Sequence, residues 1–141
     1  MARIIVKDLE PYFISKVPGR ERVFLVSMER CDSKFLKADT VTYAPGAEGG
    51  EHYHKSESFI YIIEGECEIR INGTPQIIGK GTMAYLEPGD KHFIKNVGRT
   101  KMVMLEAFAP QEDAASIWTE PKAPHEWIKV ERTWGQGNKE I

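Results

Sequence analysis

Apolar and polar positions alternate in short bursts along this chain. Runs rich in β-branched and aromatic residues fall at 23–28, 40–43, 59–63, 66–71, 83–86 and 102–108. Between them stand Pro45-Gly46, Gly49-Gly50, Asn72-Gly73, Gly79, Gly81, Pro88-Gly89 and Gly98. Short strands spaced about ten residues apart, with turn residues between, predict an all-β antiparallel sandwich or barrel. The sharpest local reading is a hairpin turning at Asn72-Gly73, a type I′ pair. Before it, Cys67, Ile69 and Ile71 alternate with Glu66, Glu68 and Arg70, which puts one face in the core and the other in water.

Helical patterning is weak, and the one stretch compatible with a helix is 111–118, after Pro110. The remainder of the tail, with Pro121, Pro124, Trp127 and Trp134, reads as an irregular arm laid over the barrel or a neighbouring subunit. The 141 residues therefore read as one domain: a barrel core over about 23–108, an N-terminal strand within 1–22, and a short helical or irregular C-terminal arm over 109–141.

Composition narrows the function classes. Nineteen basic against 21 acidic residues give a formal charge of −2, so no nucleic-acid partner is expected. The longest apolar run, Phe59-Ile60-Tyr61-Ile62-Ile63, is far short of a membrane span, and the first residues lack the pattern of a secretory leader. Two cysteines, Cys31 and Cys67, without CxxC spacing, read as free thiols in a reducing cytoplasm. The expectation is a cytoplasmic protein that touches neither nucleic acid nor membrane.

Chemistry concentrates on histidine. His52 and His54 follow a Gly-rich loop, and residues i and i+2 of an extended chain face the same way, so both imidazoles can meet one cation. His92, soon after Pro88-Gly89, is the third candidate ligand. The fourth histidine, His125, lies between Pro124 and Glu126 and reads as a surface or interface residue.

Gly46, His52, His54 and Gly65 stand at the spacing of the first cupin motif, and Gly81, Gly89, His92 and Asn96 at that of the second. The chain thus resembles the small single-domain cupins over roughly residues 40–108. The resemblance implies a double-stranded β-helix, or jelly-roll, barrel with a metal inside, held by His52, His54 and His92. Two departures stand out: Glu87 replaces the proline of the second motif, and Ser58 occupies the place of the usual liganding glutamate. Strand parity turns Ser58 toward the histidines and Glu57 away. A divalent ion held by three neutral imidazoles keeps its full +2 charge, which favours anionic or enolisable ligands. Imidazole ligands suit Fe, Zn, Ni, Mn or Cu, and the sequence does not choose among them.

Further candidates are Glu106, a carboxylate within the apolar run 102–108, and Tyr85, on the strand before His92. Inside the barrel Glu106 would have a raised pKa and serve as general acid or base; at a strand edge it would pair with Arg99 or Lys101. Ser58 or Tyr85 would orient a substrate. Asn96 reads as a residue that satisfies backbone groups at a strand end.

Two functions fit. One is a metal-dependent enzyme of dioxygenase, isomerase or lyase type acting on a small oxygenated or carboxylated molecule. The other is a barrel that binds or senses a small ligand without catalysis, with or without metal. A sensory domain of a transcription factor fits less well, for no basic patch or helix-turn-helix pattern accompanies the barrel. Small cupins often pair, and Ile4-Ile5-Val6 is placed to add an edge strand to a partner's sheet, so a homodimer is expected.

Overall fold

A computed structural model of the chain describes residues 2–15, 18–111, 127–130 and 138–140. Twelve strands account for most of them: β1 (Arg3–Ile5), β2 (Tyr12–Ser15), β3 (Arg20–Val26), β4 (Lys37–Tyr43), β5 (Glu57–Glu64), β6 (Glu66–Ile71), β7 (Thr74–Gly79), β8 (Met83–Leu86), β9 (His92–Lys95), β10 (Met102–Ala109), β11 (Trp127–Val130) and β12 (Asn138–Glu140). A four-residue helix, α1 (Met28–Cys31), begins where the Ser27 side chain accepts the Arg30 backbone N–H at 3.2 Å.

Seven strands form the larger sheet in the order β11-β2-β3-β4-β10-β5-β8, and three form the smaller one in the order β7-β6-β9. The pairings given for the strands are antiparallel throughout. The core lies between the two sheets. Val41, Ile60, Ile62, Met102 and Met104 enter from the large sheet and Cys67, Ile69 and Ile94 from the small one. Period-two alternation explains which residues go in: Ser58, Ile60 and Ile62 are buried on β5 while Glu57 and Tyr61 are exposed. The β6–β7 hairpin turns at Asn72 and Gly73 with φ of 50° and 84°, the two positive values a type I′ turn needs. Cys31 and Cys67 are free, and burial pushes the Cys67 thiol up to about 11.

Six of the twelve strands, β1, β2, β7, β9, β11 and β12, fall outside the bursts of apolar sequence. β7 contains Pro75, which it tolerates as an edge strand, and β2 and β9 are only four residues long. The N-terminal segment also behaves differently from the expectation. β1 pairs with β12 of the same chain, Arg3 opposite Glu140, so one of its two edges is taken within the chain. Part of the C-terminal arm is likewise regular, because β11 extends the large sheet beside β2. Of the helix expected at 111–118 only Gln111 is described, and it anchors to the 28–36 region through Phe35 O at 2.7 Å. His125 and Trp134 lie outside the described residues.

Gly65 joins β5 to β6 at φ +80°, and a Cβ there would lie 2.6 Å from Lys101 O and 2.9 Å from Met102 Cα. Both atoms are backbone and cannot swing aside. Gly65→Ala is expected to cost at least about 2 kcal/mol, from left-handed strain plus the clash. Gly73→Ala, at φ +84° with nothing within 4 Å of its Cβ, meets only the strain. Urea midpoints should fall in that order; equal midpoints would contradict the packing described at Gly65.

Candidate metal centre

The loop after Gly49-Gly50 carries His52 into a single bridge with the start of β9. His52 N–H donates to His92 O at 3.0 Å, and His92 N–H returns the bond to His52 O at 2.8 Å. This pair sets the two imidazoles face to edge with centroids 4.2 Å apart. His54, two residues on, lies 5.1 Å from each of them. One potential ligand atom from each of His52, His54 and His92 falls within 4.8 Å of the others. The ring of His54 stacks on Phe108 at 5.4 Å and 8°, which fixes its orientation from the β10 side.

The chemistry of the donors fits a cation. Nδ1 of His52 is 2.7 Å from Gly50 O, and Nδ1 of His92 is 3.0 Å from Asp90 O. A carbonyl only accepts, so both Nδ1 atoms carry the proton and both Nε2 atoms keep a lone pair for a metal, the usual arrangement behind ligating histidines. Burial pushes the His92 imidazole below its ordinary 6.5, against the Asp90 carbonyl and nearby carboxylates, and this favours the neutral ring a metal requires.

Beside the imidazoles lies a narrow cleft with room for little more than one water molecule. Its charged walls are Arg20, Arg22 and Glu106, with Tyr43 between. These residues come from the inward positions of β3, β4 and β10, where cross-strand register puts Arg22 beside Val41 and Glu106 beside Asp39. Arg22 Nη2 is 3.3 Å from Glu106 Oε1, and its Nε is 3.7 Å from Asp39 Oδ2. All three side chains are within a tenth of full burial. Burial and the charge of Glu106 push Asp39 well above the ordinary carboxylate range, against Arg22 and Lys37. Burial alone would raise Glu106 too, but Arg22, a hydrogen bond from Asp39, and His54 and His92 hold it below that range. The two neighbouring carboxyls are thus driven apart, Asp39 upward and Glu106 downward.

The sequence candidates separate accordingly. Glu106 does face the cleft, but its partner is Arg22 rather than Arg99 or Lys101, and its pKa is lowered rather than raised. Ser58 is buried on the inward face opposite Phe108 and lines a separate groove with Leu36, Phe59 and Tyr85, while Glu57 is turned out. Tyr85 does not belong with the imidazoles. Leu86 takes the inward position on β8, so Tyr85 faces out beside Phe59 and is 56% exposed. Asn96 donates to Tyr43 O and Thr100 O, each at 2.9 Å, and accepts from Gly98 N–H, a structural role at the end of β9. Arg20, Arg22 and Asp39 were not legible as site residues, for Arg20-Glu21-Arg22 and Asp39-Thr40 read as polar stretches of strand facing water.

Comparison with known proteins agrees with this geometry. Residues 39–108 match the cupin domain family. An oxalate-binding protein of Thermotoga maritima is 30% identical over 103 residues, covering 70% of this chain and 85% of that protein. The tetracenomycin polyketide synthase protein TcmJ of Streptomyces glaucescens is 29% identical over 85 residues, and the match spans only 57% of its length. Among solved structures, a predicted oxalate decarboxylase from Thermotoga maritima superposes with TM-score 0.67 at 25% identity, covering 77% of this chain and 99% of that one. KdgF from a Halomonas species gives TM-score 0.71 at 17% identity over 82% of this chain and 99% of its own, a likeness of fold.

Proposed function

Because the chain belongs to the cupin family, we propose that His52, His54 and His92 hold a divalent transition metal and that the protein is an enzyme acting on a small oxygenated or carboxylated molecule. The convergence of three imidazoles beside a buried carboxylate carries this reading. Fe, Zn, Ni, Mn and Cu all suit such donors. When bound, the ion supplies Lewis acidity toward a substrate oxygen. The chain supplies the rest. Arg22 keeps Glu106 ionised, so a Glu106 carboxylate oxygen accepts a proton from carbon or hydroxyl next to a carbonyl. Asp39, whose carboxyl is pushed up, stands beside Glu106 on the neighbouring strand. Isomerase or lyase chemistry fits this proton-transfer machinery more directly than dioxygenation. Relatives named for oxalate and for polyketide synthesis are consistent with an oxygen-rich ligand.

The relative named as an oxalate-binding protein also favours a second reading, a barrel that binds without turnover. Metal content by mass spectrometry, deuterium exchange into small 2-oxo acids by NMR, and oxygen uptake separate the two. The enzyme reading expects about one metal per chain, exchange or oxygen uptake, and loss of exchange by about 100-fold in Glu106→Gln with metal content unchanged. Full metal content with neither exchange nor uptake supports the binder. We also propose a homodimer in the cytoplasm; light scattering should give twice the 16.0 kDa chain mass.

A further inference from the structure

The proposed function gives no task to the groove at the end of β5, β8 and β10. Leu36, Glu57, Phe59, Tyr85, Ala107 and Ala109 line it. Cross-strand register explains why it is there. Phe59 of β5 stands between Tyr85 of β8 and Ala107 of β10, and Glu57 stands beside Ala109. Two alanines next to larger side chains leave a trough along β10. Leu36 and Tyr85, 45% and 56% exposed, offer carbon surface to whatever enters. The groove measures about 190 Å³. A cavity of about 150 Å³ accepts a benzene ring, so this one has room for a single ring and a short chain.

Its charge is one-sided. Glu57 is exposed and shares its face of β5 with Phe59, about 6.5 Å along the strand. Partial desolvation, and then the negative charges of Glu57, Glu87 and Asp90, push the Tyr85 hydroxyl above its ordinary 10. Neutral donors hold Asp90 in place: it accepts from Glu87 N–H at 2.9 Å and from Asn72 Nδ2 at 3.0 Å. Among the described residues no ion pair uses Glu57, Glu87 or Asp90. Lys37 stands opposite Phe108 on β4, but it is 8% exposed. Its Nζ lies 4.9 Å from the Phe24 ring and 5.6 Å from the Phe108 ring, and its charge acts on the buried Asp39. The groove therefore joins an apolar bed sized for one ring to a negative edge.

We propose that this groove binds a single-ring aromatic amine, with the ring against Phe59 and Tyr85 and the ammonium beside Glu57. Ring-on-ring contact and burial of carbon supply the attraction, and the cation adds to it at the carboxylate and over the tyrosine face. The spacing of Glu57 and Phe59 along β5 suits an ammonium carried one or two carbons from its ring. This site goes beyond the proposed function and uses neither the metal nor Glu106. Phe108 separates the two, since it lines the groove and stacks on His54.

The test titrates the full chain, metal-loaded and chelator-treated, with four probes followed by NMR and calorimetry. Phenethylamine, protonated at neutral pH, is compared with uncharged 2-phenylethanol, anionic 3-phenylpropionate and ring-free butylamine. Phenethylamine should bind saturably in both preparations, at least about threefold more tightly than any of the others. Glu57→Gln should weaken the amine by about three- to tenfold and leave 2-phenylethanol unchanged, the scale of one exposed charge pair. Tyr85→Ala should weaken both by about tenfold, and Tyr85→Phe, which keeps the ring, should restore them. Both positions are exposed, and thermal melting confirms that the variants are folded. Absence of saturable phenethylamine binding, equal affinity for 2-phenylethanol, or wild-type affinity in folded Glu57→Gln overturns the proposal. So does an equal loss in Tyr85→Phe. Binding confined to the metal-loaded protein would put the amine on the metal and also overturn it. Light scattering covers the remaining occupant: a fall in mass for Tyr85→Ala would show that a second copy fills the groove, against the proposal.

Discussion

Arg22→Met is expected to lower stability by about 3–5 kcal/mol, the cost of stranding a buried ionised partner. Arg22 is the cation between Asp39 and Glu106, and none of the three is more than a tenth exposed. Without it, the charge on Glu106 loses the strongest of the influences that hold it ionised. Urea denaturation of wild type, Arg22→Met, Glu106→Gln and the double variant forms a cycle. The double variant should cost clearly less than the two single losses together, by about 0.5–3 kcal/mol, because the removed charges no longer need each other. The pH dependence follows from the shifts. Glu106 is held low in the folded state, so its contribution is present above the unfolded carboxyl value near 4.5 and is lost as pH falls through the folded value. Asp39 is raised and works in the opposite sense, adding a cost once pH rises past its unfolded value near 3.8. The Arg22→Met deficit should therefore shrink as the solution is made more acid. A deficit below about 1 kcal/mol, or additive single losses, would show that the triad is not coupled.

His92→Ala should weaken metal binding by at least about 100-fold, since even the loss of an outer partner of a ligand costs ten- to a hundred-fold. His92 is 2% exposed and sits at the junction of β9 and the His52 bridge. Metal retained after gel filtration should drop from about one per chain to near none, while His125→Ala retains it. Acidification of the wild type should also release metal, as protons take the imidazole lone pairs. His92→Ala protein that keeps its metal would exclude this residue from the ligand set.

The architecture was legible because the barrel repeats one simple rule. The apolar run at 59–63, the alternation in 66–71 and the Asn72-Gly73 turn place β5, β6 and the β6–β7 hairpin from the sequence alone. The three histidines were legible for a similar reason: their spacing relative to Gly46, Gly81 and Gly89 is local. The charged wall was not. Arg22, Asp39 and Glu106 come from three strands separated by up to 84 residues, and their meeting is a matter of cross-strand register. A lone arginine in a strand reads as solvent-exposed until its opposite number is known. Tyr85 misled for a related reason. Its four-residue strand is too short for alternation to declare which face is inside, and only Leu86 packed in the core decides it.

X-ray absorption on the metal-loaded wild type is the most direct check on the centre. Three imidazole nitrogens at about 2.0–2.2 Å around one ion, completed by oxygen donors, are the expected result. An all-oxygen shell, or a single imidazole, would contradict it.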